Sequence, residues 1–299
     1  MSDGGVPEGS DRFSLRDWRQ DSAKQKIKRL IGAVLVRLFP RRAAMLRENS
    51  FTHHGRRLSL LNRMIGAGIG YGALQAGDYE TLGEYHRNFW GGQHAKAYHD
   101  DAPERFESVF LRYYTPLIDE LERCLATRGG VPTLCEIGSG AGLMMDYLAR
   151  RFKAVKRLIG VDLDAVTTAA ARQAFPDPRM EFVAADALDY IEQNGQPDWV
   201  FLTQNGVLEY FPPDALDRFF RLVAGLAPAA VALIEPVARN HDLATRTEST
   251  PYGQEFGFSH NYPHRLAQHG FQVLYQHEER VFGMRTLMIL ATIDPGAEA

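Results

Sequence analysis

Glu136, Gly138, Ser139, Gly140, Ala141 and Gly142 fall in one run, PTLCEIGSGAGLMMDYL over residues 132–148, in which an apolar strand passes through a glycine-rich turn into a helix. Glycines at such a turn let the backbone bend tightly and approach a ligand with no Cβ in the way, and N–H groups at the helix start favour anionic groups. Three acidic or polar features follow in order. Asp162 closes the run Arg157–Asp162, where a carboxylate accepts hydrogen bonds from the hydroxyls of a ribose laid over the neighbouring turn. Asp164, two residues on, can share that role and is the better placed of the two to cap the next helix. Asp186 follows a third apolar run, and its carboxylate or the Ala187 N–H can read an adenine edge. A fourth run ends in Gln204-Asn205-Gly206, polar groups at the carboxyl end of a sheet, which is where ligands bind in open α/β folds.

A second group of residues could move a proton. The segment Glu235–His264 contains His241, Tyr252, His260, Tyr262 and His264. A histidine titrates near neutrality and serves as a general base when it reaches the reacting group. His260, in GFSHNYPH among polar neighbours, is the first choice, with His241 and Tyr262 next. The competing reading of each is loop packing or helix capping.

These residues need a scaffold, and the hydrophobic pattern supplies one. Thr133–Ile137, Arg157–Asp162, Met180–Ala184, Asp198–Thr203 and Ala229–Glu235 read as strands separated by helical segments at Ala165–Phe175, Leu188–Gln193 and Pro213–Gly225. Alternation of this kind implies right-handed crossovers and a mostly parallel sheet covered on both faces. Phe271–Val281 and Met284–Ile293, parted by Phe282-Gly283, predict an antiparallel hairpin at the sheet edge.

Upstream the pattern is helical. Residues 1–22 read as a disordered tail, 23–105 as a helical extension or lid, and 106–295 as the α/β domain. Over residues 24–47 there are eight Lys or Arg residues and no Asp or Glu, and Ile27, Leu30, Ile31, Val34 and Leu38 share one helical face. That segment is either a helix packed on its own protein with solvated basic flanks, or a peripheral membrane or partner contact. The glycine-rich stretch 58–77 is either a close helix–helix contact or a connector. Residues 79–98, with His86, Phe89, Trp90, His94 and Tyr98, form either a lid over a pocket or a helical core, and Phe106–Leu125 reads as one long helix.

Composition sets outer bounds. A length of 299 residues leaves ample core, and a formal charge of −3 argues against general nucleic-acid binding. Cys124 and Cys135 are the only cysteines and read as reduced, and no metal cluster is suggested. With no convincing signal peptide or spanning segment, the expected location is the cytoplasm, or peripherally the inner membrane surface through residues 24–47.

The ordered set resembles the class I S-adenosylmethionine-dependent methyltransferase family, over roughly Glu107–Ile293. EIGSGAG is similar to the family's first motif, which implies that Glu136, Gly138, Ser139, Gly140 and Gly142 border the methionine part of the cofactor. GVDLD places Asp162, with Leu163 beside it, on the ribose; AADAL places Asp186 and Ala187 at the adenine; FLTQNGVLEY places Asn205 beside the amino acid moiety. The resemblance implies a Rossmann-like seven-stranded sheet with a C-terminal antiparallel hairpin, S-adenosyl-L-methionine as cofactor and a methyl acceptor as partner. The GxGxG spacing of Gly138, Gly140 and Gly142 departs from the GxGxxG of dehydrogenases. No Asn-Pro-Pro-Tyr or Asp-Pro-Pro-Tyr stands after the fourth strand, which favours a small-molecule acceptor, a sugar or specialised metabolite methylated at oxygen. The expected pocket is roofed by residues 79–114 and walled by 235–264. A catalytically silent cofactor-binding scaffold and a membrane-associated lipid methyltransferase are the alternatives.

Overall fold

The structure is a computed structural model that describes residues 13–15, 23–48, 58–92, 95–127, 132–253 and 255–296. His94 and most of the expected tail, residues 1–12 and 16–22, lie outside the described residues. Within that tail, Phe13–Leu15 are held against the domain. Arg239 N donates to Phe13 O at 2.8 Å, Gly253 N donates to Ser14 O at 3.1 Å, and Leu15 N donates to Asn240 Oδ1 at 2.7 Å.

The helical extension comprises α1 (Ala23–Leu38), α2 (Pro40–Glu48), α3 (Leu60–Ala76), α4 (Tyr79–Trp90), α5 (Lys96–Asp100) and α6 (Ala102–Arg105). Side chains punctuate it as the sequence allows: Ser59 Oγ accepts from Asn62 N to start α3, Gly77 ends it at φ +66°, and Asp78 caps α4 through Thr81 N. The glycine-rich stretch is therefore a helix, and its glycines serve close contact. A Cβ on Gly32 of α1 would stand 2.6 Å from Met64 O and 2.7 Å from Gly68 N of α3, so the two helices cross backbone against backbone.

The single long helix expected over Phe106–Leu125 is instead two segments. Phe106–Tyr114 forms π-helical turns and α7 (Thr115–Thr127) continues as an α-helix. Such widened turns are rare and gather at functional sites.

The remainder alternates as the hydrophobic pattern requires: β1 (Thr133–Ile137), α8 (Leu143–Arg151), β2 (Arg157–Asp162), α9 (Ala165–Ala174), β3 (Met180–Ala184), α10 (Ala187–Asn194), β4 (Val200–Gln204), α11 (Pro213–Ala224) and β5 (Ala229–Val237). A small ribbon, β6 (Thr250–Tyr252) and β7 (Gly257–Ser259), precedes α12 (Tyr262–Gln268), β8 (Gln272–Val281) and β9 (Met284–Ile293). The seven-stranded sheet runs β3-β2-β1-β4-β5-β9-β8, with the first five strands parallel and β9 antiparallel to both its neighbours.

Alternation of side chains splits each central strand between two cores. Cys135 and Ile137 of β1 face α10 and α11 with Phe201, Phe219 and Val231, while Leu134 faces α7 and α8 with Met144, Leu148 and Leu202. A third apolar cluster joins α2, α3 and α4 to the ribbon through Ile65, Leu82, Tyr85 and Phe258. This cluster fixes α4 over the carboxyl ends of β1 and β4.

Candidate active site

At the end of β1 the chain turns through Gly138, Gly140 and Gly142 at φ +73°, +46° and +79°, angles that side chains with a Cβ rarely adopt. Space is short as well: a Cβ at Gly138 would clash with Val207 Cγ2 at 2.5 Å, and one at Gly140 would press on the His99 ring at 3.3 Å. The turn spends most of its N–H groups on the protein. Gly138 N and Ser139 N donate to Val161 O, Gly142 N donates to Ser139 O, and Gly140 N donates to Asp162 Oδ2 at 2.8 Å. The expectation of an anion cradle at this turn is thereby corrected.

What the turn lacks in free donors it has in buried acid. Glu136 is fully buried, neither carboxyl oxygen has a hydrogen-bond partner among the described residues, and burial, reinforced by the Asp162 charge, holds its carboxyl well above the usual range. Asp162 is also pushed up by burial, against the opposing hydrogen bonds from Asp164 N and Gly140 N. Ser139 Oγ is buried and has no hydrogen-bond partner among the described residues.

A cavity opens over this turn. One side is the sheet end: Gly138, Ser139, Gly140, Asp162, Leu163, Asp186, Ala187 and Asn205 all line it. The roof comes from the helical extension and the π-helical turns, with His86, Trp90, Tyr98, His99, Arg105, Phe106 and Phe110. Tyr210, on the turn after β4, closes the far side, its ring 4.6 Å from His86 and 5.3 Å from Trp90. Roof and floor are tied directly, since Asn205 Nδ2 donates to Tyr98 OH at 2.7 Å. Arg105 stacks on the Tyr98 ring at 3.7 Å and donates to its carbonyl at 2.5 Å.

Residues 134–227 match the model of a methyltransferase domain. That stretch, under a third of the chain, runs from β1 to just past the end of α11, and its similarity to a methyltransferase domain agrees with the order of the motifs from Glu136 to Asn205. Among curated proteins it is 30% identical over 95 residues to a polyamine aminopropyltransferase of Synechococcus sp. (strain JA-2-3B'a(2-13)), a match covering 29% of this chain and 30% of that protein. The chain thus spans under a third of the curated relative's length. Similar solved structures include an S-adenosylmethionine-dependent methyltransferase from Clostridium acetobutylicum (11% identity, 66% of this chain and 99% of that one, TM-score 0.48). Magnesium protoporphyrin IX methyltransferase from Synechocystis PCC 6803 with bound cofactor is another (14% identity, 88% and 97%, TM-score 0.43).

S-adenosylmethionine is the cofactor of this methyltransferase family, and the donor set fits its chemistry. A sulfonium cation suits a cavity bordered by the Asp162 carboxyl, with the buried Glu136 carboxyl, which has no hydrogen-bond partner among the described residues, just behind it. Two of the expected contacts double as structural caps. Asp186 Oδ1 accepts from Leu188 N at 2.9 Å and Asp189 N at 3.3 Å to start α10, so the Ala187 end of that cap borders the cavity. Asp164 caps α9 through Val166 N at 2.9 Å, and this leaves Asp162 as the cavity's carboxylate on β2. Glu136 and Gly142 stand behind the lining rather than in it.

The expected proton-transfer residues are placed elsewhere. His260 is fully buried: its Nδ1 meets Ser249 Oγ at 2.7 Å, and its Nε2 meets Leu208 O and Phe211 O at 3.2 and 3.1 Å. Carbonyls only accept, so Nε2 carries the proton and Nδ1 accepts from Ser249. Burial pushes this imidazole down to about 3. His241, buried between Ser259 Oγ (2.8 Å) and Arg246 O (3.2 Å), is also held below its usual value by burial. Tyr262 packs into the core under β5. None of the three lines the cavity, and neither does any other described residue of 235–264; the wall comes from within Gln204–Pro212 instead.

That segment acts from behind. Glu235 accepts from Val207 N at 3.3 Å and Leu208 N at 3.1 Å, Tyr252 OH donates to Glu209, and His260 holds the carbonyls of Leu208 and Phe211. Together these contacts fix the turn that presents Tyr210. The imidazole that sequence reasoning passed over is His99, which lines the cavity above Gly140; its Nε2 is buried with no partner among the described residues. Burial lowers its pKa, against the opposing pull of Asp162 and Asp164.

Proposed function

We propose that the protein transfers the methyl group of S-adenosylmethionine to a small, ring-bearing acceptor held under the aromatic roof. The observation that carries this reading is the continuity of one cavity from Asp162 and Asp186 past Asn205 to His86, Trp90, Tyr98 and Tyr210. The sulfonium supplies an already activated methyl group, so alignment of the acceptor contributes much of the rate. Asp162 would hold the ribose, Asp186 and Ala187 the adenine, and the Asn205 end the amino acid moiety. Trp90 and Tyr210 would sandwich the acceptor's apolar faces, and the Tyr98 hydroxyl, oriented by Asn205, would position its polar edge. Aromatic lining favours an acceptor with a flat apolar face over a polyhydroxylated sugar, and oxygen is the proposed methyl-accepting atom.

Titration calorimetry with S-adenosylmethionine tests the first half: saturable binding is expected, and no heat at roughly millimolar cofactor refutes the reading. Transfer of labelled methyl to fractions of a small-molecule extract tests the second. A silent cofactor-binding scaffold is the second reading, favoured by the absence of His241, His260 and Tyr262 from the cavity. Tight cofactor binding with no label transferred to any fraction would select it.

A further inference from the structure

The apolar face of α1 is not where a packed helix would put it. Ile27, Leu30, Ile31, Val34 and Leu38 recur at helical spacing, yet they are 57%, 68%, 46%, 54% and 66% exposed. The face of α1 that meets α3 is the one carrying Gly32, because only glycine permits the backbone contact with Gly68. That crossing turns the large apolar side chains outward. Phe39 and Met45 extend the same exposed apolar character into α2, whose Ala43 and Leu46 face inward.

The charges beside this stripe are all of one sign. On a helical projection Lys28 flanks it on one side and Lys26 and Arg37 on the other, with Arg41 and Arg42 exposed on α2. No acidic residue occurs between Ala23 and Arg47, although the whole chain carries a net charge of −3. An outward apolar stripe about 100° wide, rimmed by Lys and Arg, is what seats a helix in the headgroup layer of an anionic bilayer. A second copy of this chain is a poor occupant, since a two-fold contact would press the same cationic rims together. No described helix is long and apolar enough to cross a membrane, so the contact is peripheral.

We infer that α1 and α2 form a docking surface for the anionic face of a lipid bilayer, with the stripe Ile27–Leu38 inserted at headgroup level and the flanking cations paired to lipid phosphates. The surface stands apart from the cavity-lining residues, so it is independent of the reading of the active site.

Cosedimentation of the full chain with vesicles of phosphatidylglycerol and phosphatidylcholine, against phosphatidylcholine alone, tests this. Binding to the anionic vesicles is expected to be at least about tenfold stronger and to weaken in high salt. Leu30→Ser with Val34→Ser, both exposed, should abolish it while leaving the melting temperature and cofactor affinity unchanged. Arg41→Gln with Arg42→Gln should weaken it on the order of tenfold. Failure to bind anionic vesicles overturns the inference, as does binding that both double variants retain. Concentration-dependent dimerisation that the Leu30/Val34 variant abolishes, without vesicle binding, would assign the stripe to a second copy and equally overturn it.

Discussion

The amide of Gly140 donates to Asp162 Oδ2 at 2.8 Å, while Asp162 Oδ1 accepts from Asp164 N at 2.9 Å. The carboxylate proposed to receive the ribose therefore also fastens the glycine turn to the end of β2. Asp162→Ala removes both functions, and S-adenosylmethionine affinity should fall by about 1–3 kcal/mol, roughly five- to 150-fold. Titration calorimetry checks this; equal affinity in the variant would show that the ribose lies elsewhere.

Gly138→Ala places a methyl group 2.5 Å from Val207 Cγ2 at a residue with φ +73°. The left-handed angle alone costs about 1–2 kcal/mol, and the contact adds to it. The melting temperature should drop and cofactor binding should be lost. Adding Val207→Ala removes the steric part and should recover some of the melting temperature but not all of it. Full recovery would mean that the backbone angle is not constrained.

Glu136 offers a test by pH. Its carboxyl is held well above the usual carboxylate range by burial, so the free protein keeps this proton to a higher pH than an exposed glutamate does, and a cationic ligand nearby favours ionisation. Over the pH range in which the carboxyl titrates, binding releases a proton, and affinity for S-adenosylmethionine should increase with pH there. In Glu136→Gln that dependence should flatten. A parallel slope in variant and wild type would place the sulfonium away from this residue.

His260 predicts an acid-side loss of stability. Its folded pKa is down at about 3, below the usual histidine value of 6.5, so between these limits the unfolded chain binds the extra proton. The imidazole's contribution is complete above pH 6.5 and is lost as pH falls toward 3, at on the order of 1 kcal/mol per pH unit. His260→Gln keeps one donor and one acceptor but does not titrate. The gap in unfolding free energy between wild type and variant should therefore narrow on acidification. Near neutrality His260→Gln should also lower turnover through a displaced Tyr210 while leaving cofactor affinity close to wild type.

The order of motifs along the chain was enough to determine the sheet, because strand and helix periods and the glycine turn are local properties. Every parallel strand and the terminal hairpin stand within two residues of their expected positions, the largest differences being that β5 runs on to Val237 and that Asp198 and Trp199 precede β4. Asp162, Asp186 and Asn205 were legible for the same reason: each closes or follows a strand, and parallel strands deliver their carboxyl ends to one edge. The proton-transfer residues were not. Being polar and close in sequence to the end of β5 says nothing of which way a side chain turns, and the packing of β7 and α12 drew His260 inward against Leu208 and Phe211. His99, on α5, stands over Gly140 and beside Trp90 of α4, and α4 in turn is tied to the ribbon by a contact between residues 170 apart, His86 Nε2 with Phe256 O, a proximity that sequence spacing does not announce. The outward face of α1 is likewise a tertiary decision. Its periodicity was visible in the sequence, but only the seating of Gly32 on Gly68 settled which face met the protein and which was left exposed.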